Sequence, residues 1–189
     1  MFAGHFGLAA AVKAKTKQVP LWALMLSTQL LDVIFVPLFL SGVETMEPVA
    51  PGYGGSIIHA DYTHSLVGAL FIAMVAGHFA KYLWGLRGGL IISAMVFSHW
   101  ILDLLVHRPD LPILPGNYGN LPLLGFGLWQ FSIVSIVIEF ILIAVGLTMY
   151  ARSILPGTVG VQRKWAVLST LVLGILLGLS LLTDVLGIA

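Results

Sequence analysis

Long apolar segments, separated by short polar or basic connections, dominate the hydrophobic pattern of the chain. Five of them are long enough to cross a bilayer as helices, for which about 20 apolar residues suffice: 21–41, 64–84, 88–107, 126–150 and 165–187. The shorter segment 2–12 cannot span; we interpret it as a half-helix that dips into the membrane, with an amphipathic surface helix as the alternative. The pattern predicts an all-α, polytopic membrane helix bundle forming one integral-membrane domain, residues 1–189.

Composition supports the membrane interpretation and narrows the chemistry. Hydrophobic residues make up 59% of the 189 residues and charged residues 9%, against roughly 25% charged residues in soluble domains. The net charge of +1 gives no electrostatic reason to expect a nucleic-acid partner. Because the chain has no cysteine, disulfides and thiolate metal sites are excluded, and any metal must be held by nitrogen and oxygen atoms.

The basic residues predict the orientation in the membrane. Eight of the nine Lys and Arg fall on one side of the bundle, in 13–17, 81–87 and 152–164, and only Arg108 falls on the other. Basic loops stay on the cytoplasmic side of a membrane. We therefore expect an integral protein of the cytoplasmic (inner) membrane, with its basic loops in the cytoplasm and its C terminus outside. Asp184, near that terminus, is expected to be solvated.

The third apolar segment carries an ionisable face. His99, Asp103 and His107 recur every four residues, which places all three on one side of a helix. Imidazole and carboxylate groups are common ligands of divalent metals. Ionisable groups inside a bilayer are costly, so they indicate function by default. The competing interpretation is a hydrogen-bonded His99–Asp103 pair that holds helices together.

Other polar side chains are expected at matching depths. At a helical rise of about 1.5 Å per residue, Asp32 and His99 lie about 16 Å from the inner surface and Glu139 about 18 Å. His5 reaches towards this layer if the N-terminal segment is helical, and His64 lies at the outer rim. Because no Lys or Arg lies near these groups in the pattern, a divalent cation would supply the missing positive charge.

Five short motifs stand out along residues 1–110: MFAGHFGLA, QLLD, YTHSL, SHWILD and HRPD. Together they resemble a bacterial family of inner-membrane-bound metal-dependent hydrolases. The resemblance implies a metal site whose ligands are His5, Asp32, His64, His99 and Asp103. Many members have Pro-Asp-x-Asp where this chain has Leu31-Asp32-Val33-Ile34, so one carboxylate of a two-metal site is missing. Glu139 and His107 are the candidates to replace it.

Together these observations predict a membrane-embedded, metal-dependent hydrolase acting on a lipid or lipid-linked (phospho)ester near the outer leaflet. The expected cofactor is a divalent metal, zinc, which lowers the pKa of bound water. The expected acid–base groups are His64 and Asp103.

Two other classes of function stay open. One is a non-catalytic subunit or assembly factor of a larger complex, with other membrane subunits as partners. The other is an ion or proton relay through Asp32, His99, Asp103 and Glu139.

Overall fold

The computed structural model describes residues 1–50 and 52–186 and is mostly helical, at 69%. The helices in this part of the chain are α1 (Phe2–Lys13), α2 (Leu21–Thr28), α3 (Leu30–Leu40), α4 (Leu66–Val106), α5 (Ser132–Ile154) and α6 (Gly160–Leu186). An antiparallel hairpin of two short strands, β1 (Thr45–Pro48) and β2 (Ser56–His59), lies between α3 and α4. The last residue of the expected span 165–187 and the end of the expected domain lie outside the described residues.

Three helices, α4, α5 and α6, are long and apolar enough to cross a membrane. The pair α2 and α3 passes the same test as one bent unit, with an angle of 48° between its parts. The bend lies at Gln29, whose φ of −115° and ψ of 7° interrupt the helix. The expected membrane character is consistent with these lengths, whereas the expected number of five spans is not confirmed by them.

Helix α4 has 41 residues and is interrupted near its centre, at Trp84 and Gly85. Gly85 has a φ of 70°, which glycine adopts without the steric cost that other residues meet. Gly77 and Gly89 bring the two halves so close that a Cβ on either would collide with the carbonyl oxygen of the other. The halves therefore pack side by side, and this register places the residues before α4 beside Trp100. The indole N–H of Trp100 indeed donates to the carbonyl oxygen of His64 at 2.8 Å.

Two predicted spans begin too early, each for a local reason. The expected span 64–84 starts at a histidine, but the side chain of Ser65 accepts a hydrogen bond from the N–H of Gly68 and caps α4 there. His64 consequently lies in the turn before the helix. The expected span starting at residue 126 is delayed because Gly127 has a left-handed conformation and a 3₁₀ turn follows it.

Helix α1 packs against α2, α5 and α6 and is enclosed by them. Ala3, Ala9 and Ala10 are fully buried. The contact with α5 is a backbone contact, because a Cβ on Gly7 or on Gly146 would collide with the main chain of the other helix. The short N-terminal helix is therefore a central element of the bundle, and its glycines set how closely it approaches α5.

Replacing Gly146 with alanine is expected to destabilise the bundle, because overpacking of this kind costs about 1–3 kcal/mol. Gly178→Ala in α6 is the matched control, since nothing lies within 4 Å of a Cβ added there. Thermal unfolding in detergent should give a lower Tm for Gly146→Ala and an unchanged or higher Tm for Gly178→Ala. Equal Tm values for the two variants would contradict the close contact between α1 and α5.

The hairpin and the segment after α4 form a cover over one end of the bundle. The guanidinium of Arg108 donates to the carbonyl oxygens of Gly54 and Ser56. The N–H of Ile58 donates to the carboxylate of Asp110 at 3.0 Å. These bonds tie two irregular segments together, and they hold the cover above the ends of α3 and α4, where the polar residues meet.

Candidate metal centre

Six ionisable side chains converge between the first turns of α1 and α3 and the two ends of α4. They are His5, Asp32, His64, His99, Asp103 and His107. All are buried except Asp32, whose side chain is 36% exposed. Within the described residues, two groups could hold a metal ion: His5, His99 and Asp103, and Asp32, His64 and His99. The structure thus brings together every ligand that the sequence resemblance implies, and adds His107.

Four atoms form the tightest set: Nε2 of His64 and of His99, Oδ1 of Asp32 and Oδ2 of Asp103. Five of the distances between them lie between 2.9 and 3.6 Å. Zinc held tetrahedrally at about 2.0–2.1 Å from nitrogen and oxygen ligands keeps those ligands about 3.3 Å apart. The atoms of Asp32, His64 and His99, which are 3.2–3.5 Å apart, therefore have the spacing of three ligands of such an ion.

Hydrogen bonds behind the two imidazole rings determine which nitrogen faces this set. Nδ1 of His99 lies 2.6 Å from the carbonyl oxygen of Thr28, which can only accept, so Nδ1 carries the hydrogen. The hydroxyl of Thr63 lies 3.0 Å from both carboxylate oxygens of the buried Glu44 and donates to them. The Thr63 oxygen is thereby left to accept from Nδ1 of His64, at 2.8 Å. Each neutral ring then presents an Nε2 lone pair to the set.

The two Nε2 atoms lie 3.2 Å apart. Their other neighbours are the carboxylate oxygens of Asp32 and Asp103, which are also acceptors. Buried acceptors grouped in this way are unfavourable unless a cation, either a metal ion or an added proton, lies among them. Acceptors that hold the far nitrogen of each ring are the usual support of metal-binding histidines. The donor set therefore fits a divalent cation.

His107 and His5 lie at the edge of the set. Nδ1 of His107 donates to Asp110 at 2.9 Å, while its Nε2 lies 3.9 Å from Oδ2 of Asp103. His5 stacks on His99, with ring centroids 4.0 Å apart, and its Nε2 lies 3.2 Å from Oδ1 of Asp103. Asp103 consequently contacts His64 and His99 through Oδ2 and His5 through Oδ1.

Glu139 lies outside both groups of potential ligands, because its oxygens are engaged elsewhere. They accept from the N–H of Gly4 at 2.9 Å and from the hydroxyl of Tyr53 at 2.8 Å. Burial and the neighbouring Glu139 raise the pKa of Tyr53 above its usual value, so the phenol stays protonated and donates. Asp184 accepts from the N–H of Ala3 at 3.3 Å and is only 7% exposed. The expectation that Asp184 is solvated is wrong, because α6 packs against the first turn of α1.

Three supporting residues were not anticipated from the sequence. Thr63 directly precedes His64, and Asp110 follows His107 by three residues, so both could have been found by asking what holds each ring. Glu44 belongs to a loop and meets Thr63 only after folding, and no local pattern indicates that contact.

One cavity reaches the centre, and a second cavity adjoins it. The first, called here the site cavity, has a volume of about 300 Å³, and its polar lining comprises His5, Asp32, His64, Asp103 and His107. The second, called here the vestibule, has a volume of about 590 Å³ and lies under the hairpin turn, with Tyr53 and Asp184 in its wall. Both are lined by Met1, Phe2, Met46, Ile58 and Trp129. A ligand could therefore extend from one cavity into the other.

Neither protein-family models, nor curated proteins, nor solved structures include a match to the chain. The resemblance to membrane-bound hydrolases therefore stays a prediction from the motifs. What is established independently is the spatial grouping of the residues that carry those motifs, from His5 in α1 to Asp103 in α4.

Proposed function

We propose that the protein is a membrane-embedded, metal-dependent hydrolase whose resident cation, zinc, is held by Asp32, His64 and His99, which leaves a fourth coordination position for water beside Asp103. The observation that carries the proposal is the 3.2 Å approach of Nε2 of His64 to Nε2 of His99, while both Nδ1 atoms are engaged with acceptors. These two imidazoles can bind a cation through Nε2 while they keep the hydrogen bonds of their Nδ1 atoms. Ligand atoms 3.2–3.5 Å apart and nitrogen and oxygen donors favour zinc among the common divalent ions.

When bound, the cation would supply a water molecule of lowered pKa and polarise the ester it contacts. The chain's own residues orient the donors and move the proton. His5 holds Oδ1 of Asp103 and so fixes that carboxylate. His107, with Nδ1 bonded to Asp110, lines the site cavity, and no hydrogen bond to its Nε2 is found within the described residues. His107 is therefore better placed than His64 to take up the proton released by water at Nε2 and to give it to the leaving alcohol, since both nitrogens of His64 are engaged.

A lipid or lipid-linked ester is the proposed substrate. Asp32 is the most exposed member of the centre, and the site cavity beside it is edged by Phe2 and Val36. These two side chains are 43% and 51% exposed. Large apolar side chains left exposed on a membrane-spanning bundle contact lipid tails, so the opening beside Asp32 would face the bilayer. A substrate could then reach the centre without leaving the membrane.

The same proposal gives the chain five spans in the inner membrane. The two packed halves of α4, the bent pair α2 and α3, and helices α5 and α6 would each cross once. Lys81 and Arg87 flank the connection between the halves of α4, and the positive-inside rule supports a cytoplasmic position for it. The cover at the opposite end would then lie outside, with the centre near the outer leaflet.

The competing functions have less support. A relay needs polar groups that continue across the membrane. On the N-terminal side of His99 in α4, the buried residues instead form an apolar cluster. This cluster includes Ile92, Met95 and Val96, together with Leu24 of α2. A purely structural subunit would have no use for a cavity that leads to the histidines. A structural subunit expects no bound metal, and a relay expects a polar path that reaches both faces, so each makes a prediction that differs from that of the hydrolase.

Hydrolysis itself can be tested in lipid nanodiscs. Purified protein is incubated with nanodisc phospholipids, and products are identified by mass spectrometry after treatment with a chelator and after zinc is restored. We expect product formation that the chelator stops and zinc recovers. Hydrolysis that continues unchanged in the chelator would contradict the proposed role of the cation.

Replacing Thr63 with valine is expected to lower zinc affinity by about 10- to 100-fold, the usual effect of losing a group that supports a metal ligand. The substitution removes the acceptor for Nδ1 of His64 and a donor to the buried Glu44. Thr63→Ser keeps the hydroxyl and serves as the control. Competition with a chromophoric chelator measures both affinities, and equal values for the two variants would exclude this supporting role.

A further inference from the structure

The wall of the vestibule is acidic. Asp184 lines it, and Tyr53 in its wall donates to Glu139 behind it. Glu139 is fully buried and Asp184 is 7% exposed. The lining of the vestibule and the site cavity contains no Lys or Arg among the described residues, and its positive group is the amine of Met1, which acts on Asp184. Because two buried carboxylates face this one amine, the wall favours a cationic ligand group over an anionic one.

Aromatic rings lie beside these carboxylates, since Tyr53 and Trp129 line the same cavity. The face of an aromatic ring attracts ammonium groups, most strongly where water is excluded. Asp184 accepts a long hydrogen bond from the N–H of Ala3, at 3.3 Å, and its carboxyl group lies beside that of Glu139. The carboxylate therefore keeps capacity to accept from a ligand that donates.

A second feature of the cavity walls is an indole N–H without an acceptor. Trp129 lines both cavities and is 8% exposed, and its indole Nε1 has no acceptor among the described residues. A buried N–H without an acceptor costs free energy, and a ligand oxygen at the junction of the cavities would satisfy it. A ligand that places an acceptor oxygen at the junction and a cationic group in the vestibule has the two charged groups of a zwitterionic phospholipid head group, the phosphate and the ammonium.

We propose that the vestibule binds the ammonium group of a zwitterionic phospholipid, while the phosphodiester lies at the junction beside Trp129. The binding site rests on the vestibule alone, whereas its use for selecting a substrate rests on the proposed function. In the reaction, a water oxygen forms one new P–O bond, one ester P–O bond breaks, and the departing oxygen takes up a proton. The acyl chains would leave through the opening beside Phe2 and Val36, towards the membrane.

Binding can be measured apart from catalysis with soluble head groups. The protein as purified in detergent is titrated with glycerophosphoethanolamine and with the anionic glycerophosphoglycerol, followed by calorimetry. We expect the ethanolamine compound to bind about tenfold tighter or better, and Asp184→Asn to remove that preference. The asparagine can still accept from the N–H of Ala3, and Glu47→Gln, an exposed carboxylate on β1, is the matched control that should keep the preference.

The outcomes separate this inference from the proposed function. Equal affinities of the wild type for the two compounds, or a preference that Asp184→Asn retains, would overturn the ammonium site even if nanodisc lipids are hydrolysed. A preference lost only in Asp184→Asn would support the site even if no hydrolysis is found. The comparison of two compounds on the wild type stays decisive if the variant does not fold.

Discussion

Replacing His99 with alanine is expected to remove bound zinc and hydrolytic activity together. His99 belongs to both groups of potential ligands, and its Nε2 lies within 3.5 Å of ligand atoms of Asp32, His64 and Asp103. Losing a supporting group costs about 10- to 100-fold in metal affinity, so losing the ligand itself should cost more than about 100-fold. Elemental mass spectrometry gives the metal content, and the nanodisc assay gives the activity.

His78→Ala is the matched control for this substitution, because His78 lies in the other half of α4 and its ring forms a hydrogen bond with the exposed Tyr82, at 3.3 Å. That variant should keep both metal and activity. If a folded His99→Ala protein keeps a full equivalent of zinc, the assignment of His99 as a ligand is wrong.

Replacing Glu139 with alanine is expected to give the largest loss of stability. Its carboxylate is fully buried and accepts from the N–H of Gly4 and the hydroxyl of Tyr53. Each buried donor left unpaired costs about 1–3 kcal/mol. The Gly4 N–H belongs to the first turn of α1, where backbone donors have no partner within the helix. Thermal unfolding should show a strongly lowered Tm, and the loosened α1 would carry His5 away from Asp103.

Glu139→Gln separates hydrogen bonding from charge in the same position. Its amide oxygen can still accept from one of the two donors, so the fall in Tm should be smaller than for Glu139→Ala. If Glu139→Ala unfolds at the temperature of the wild type, Glu139 does not anchor α1.

The local part of the site could be predicted from the sequence. The spacing of four between His99, Asp103 and His107 is a property of any helix, so these side chains share a face before any tertiary contact is known. The prediction of helices that can span a membrane follows in the same way from the length of the apolar segments. The depth estimate that grouped Asp32 with His99 agrees with their distance of 3.5 Å in the structure.

The remaining parts depend on contacts between distant segments. The bend at Gln29 that precedes Asp32 has no proline or glycine to indicate it. The same depth estimate placed Glu139 near the centre, but depth gives no direction around a helix axis, and its oxygens instead reach Gly4 and Tyr53. The strands of the hairpin are too short for an alternating pattern to be recognised within a loop rich in proline and glycine.

X-ray absorption at the zinc edge of the purified wild-type protein tests the metal centre most directly. With one equivalent of zinc, we expect a four-coordinate spectrum with two imidazole nitrogens and carboxylate oxygens at about 2.0–2.1 Å. A folded protein that retains no zinc after incubation with the metal, or zinc without imidazole scattering, would contradict a centre built on His64 and His99.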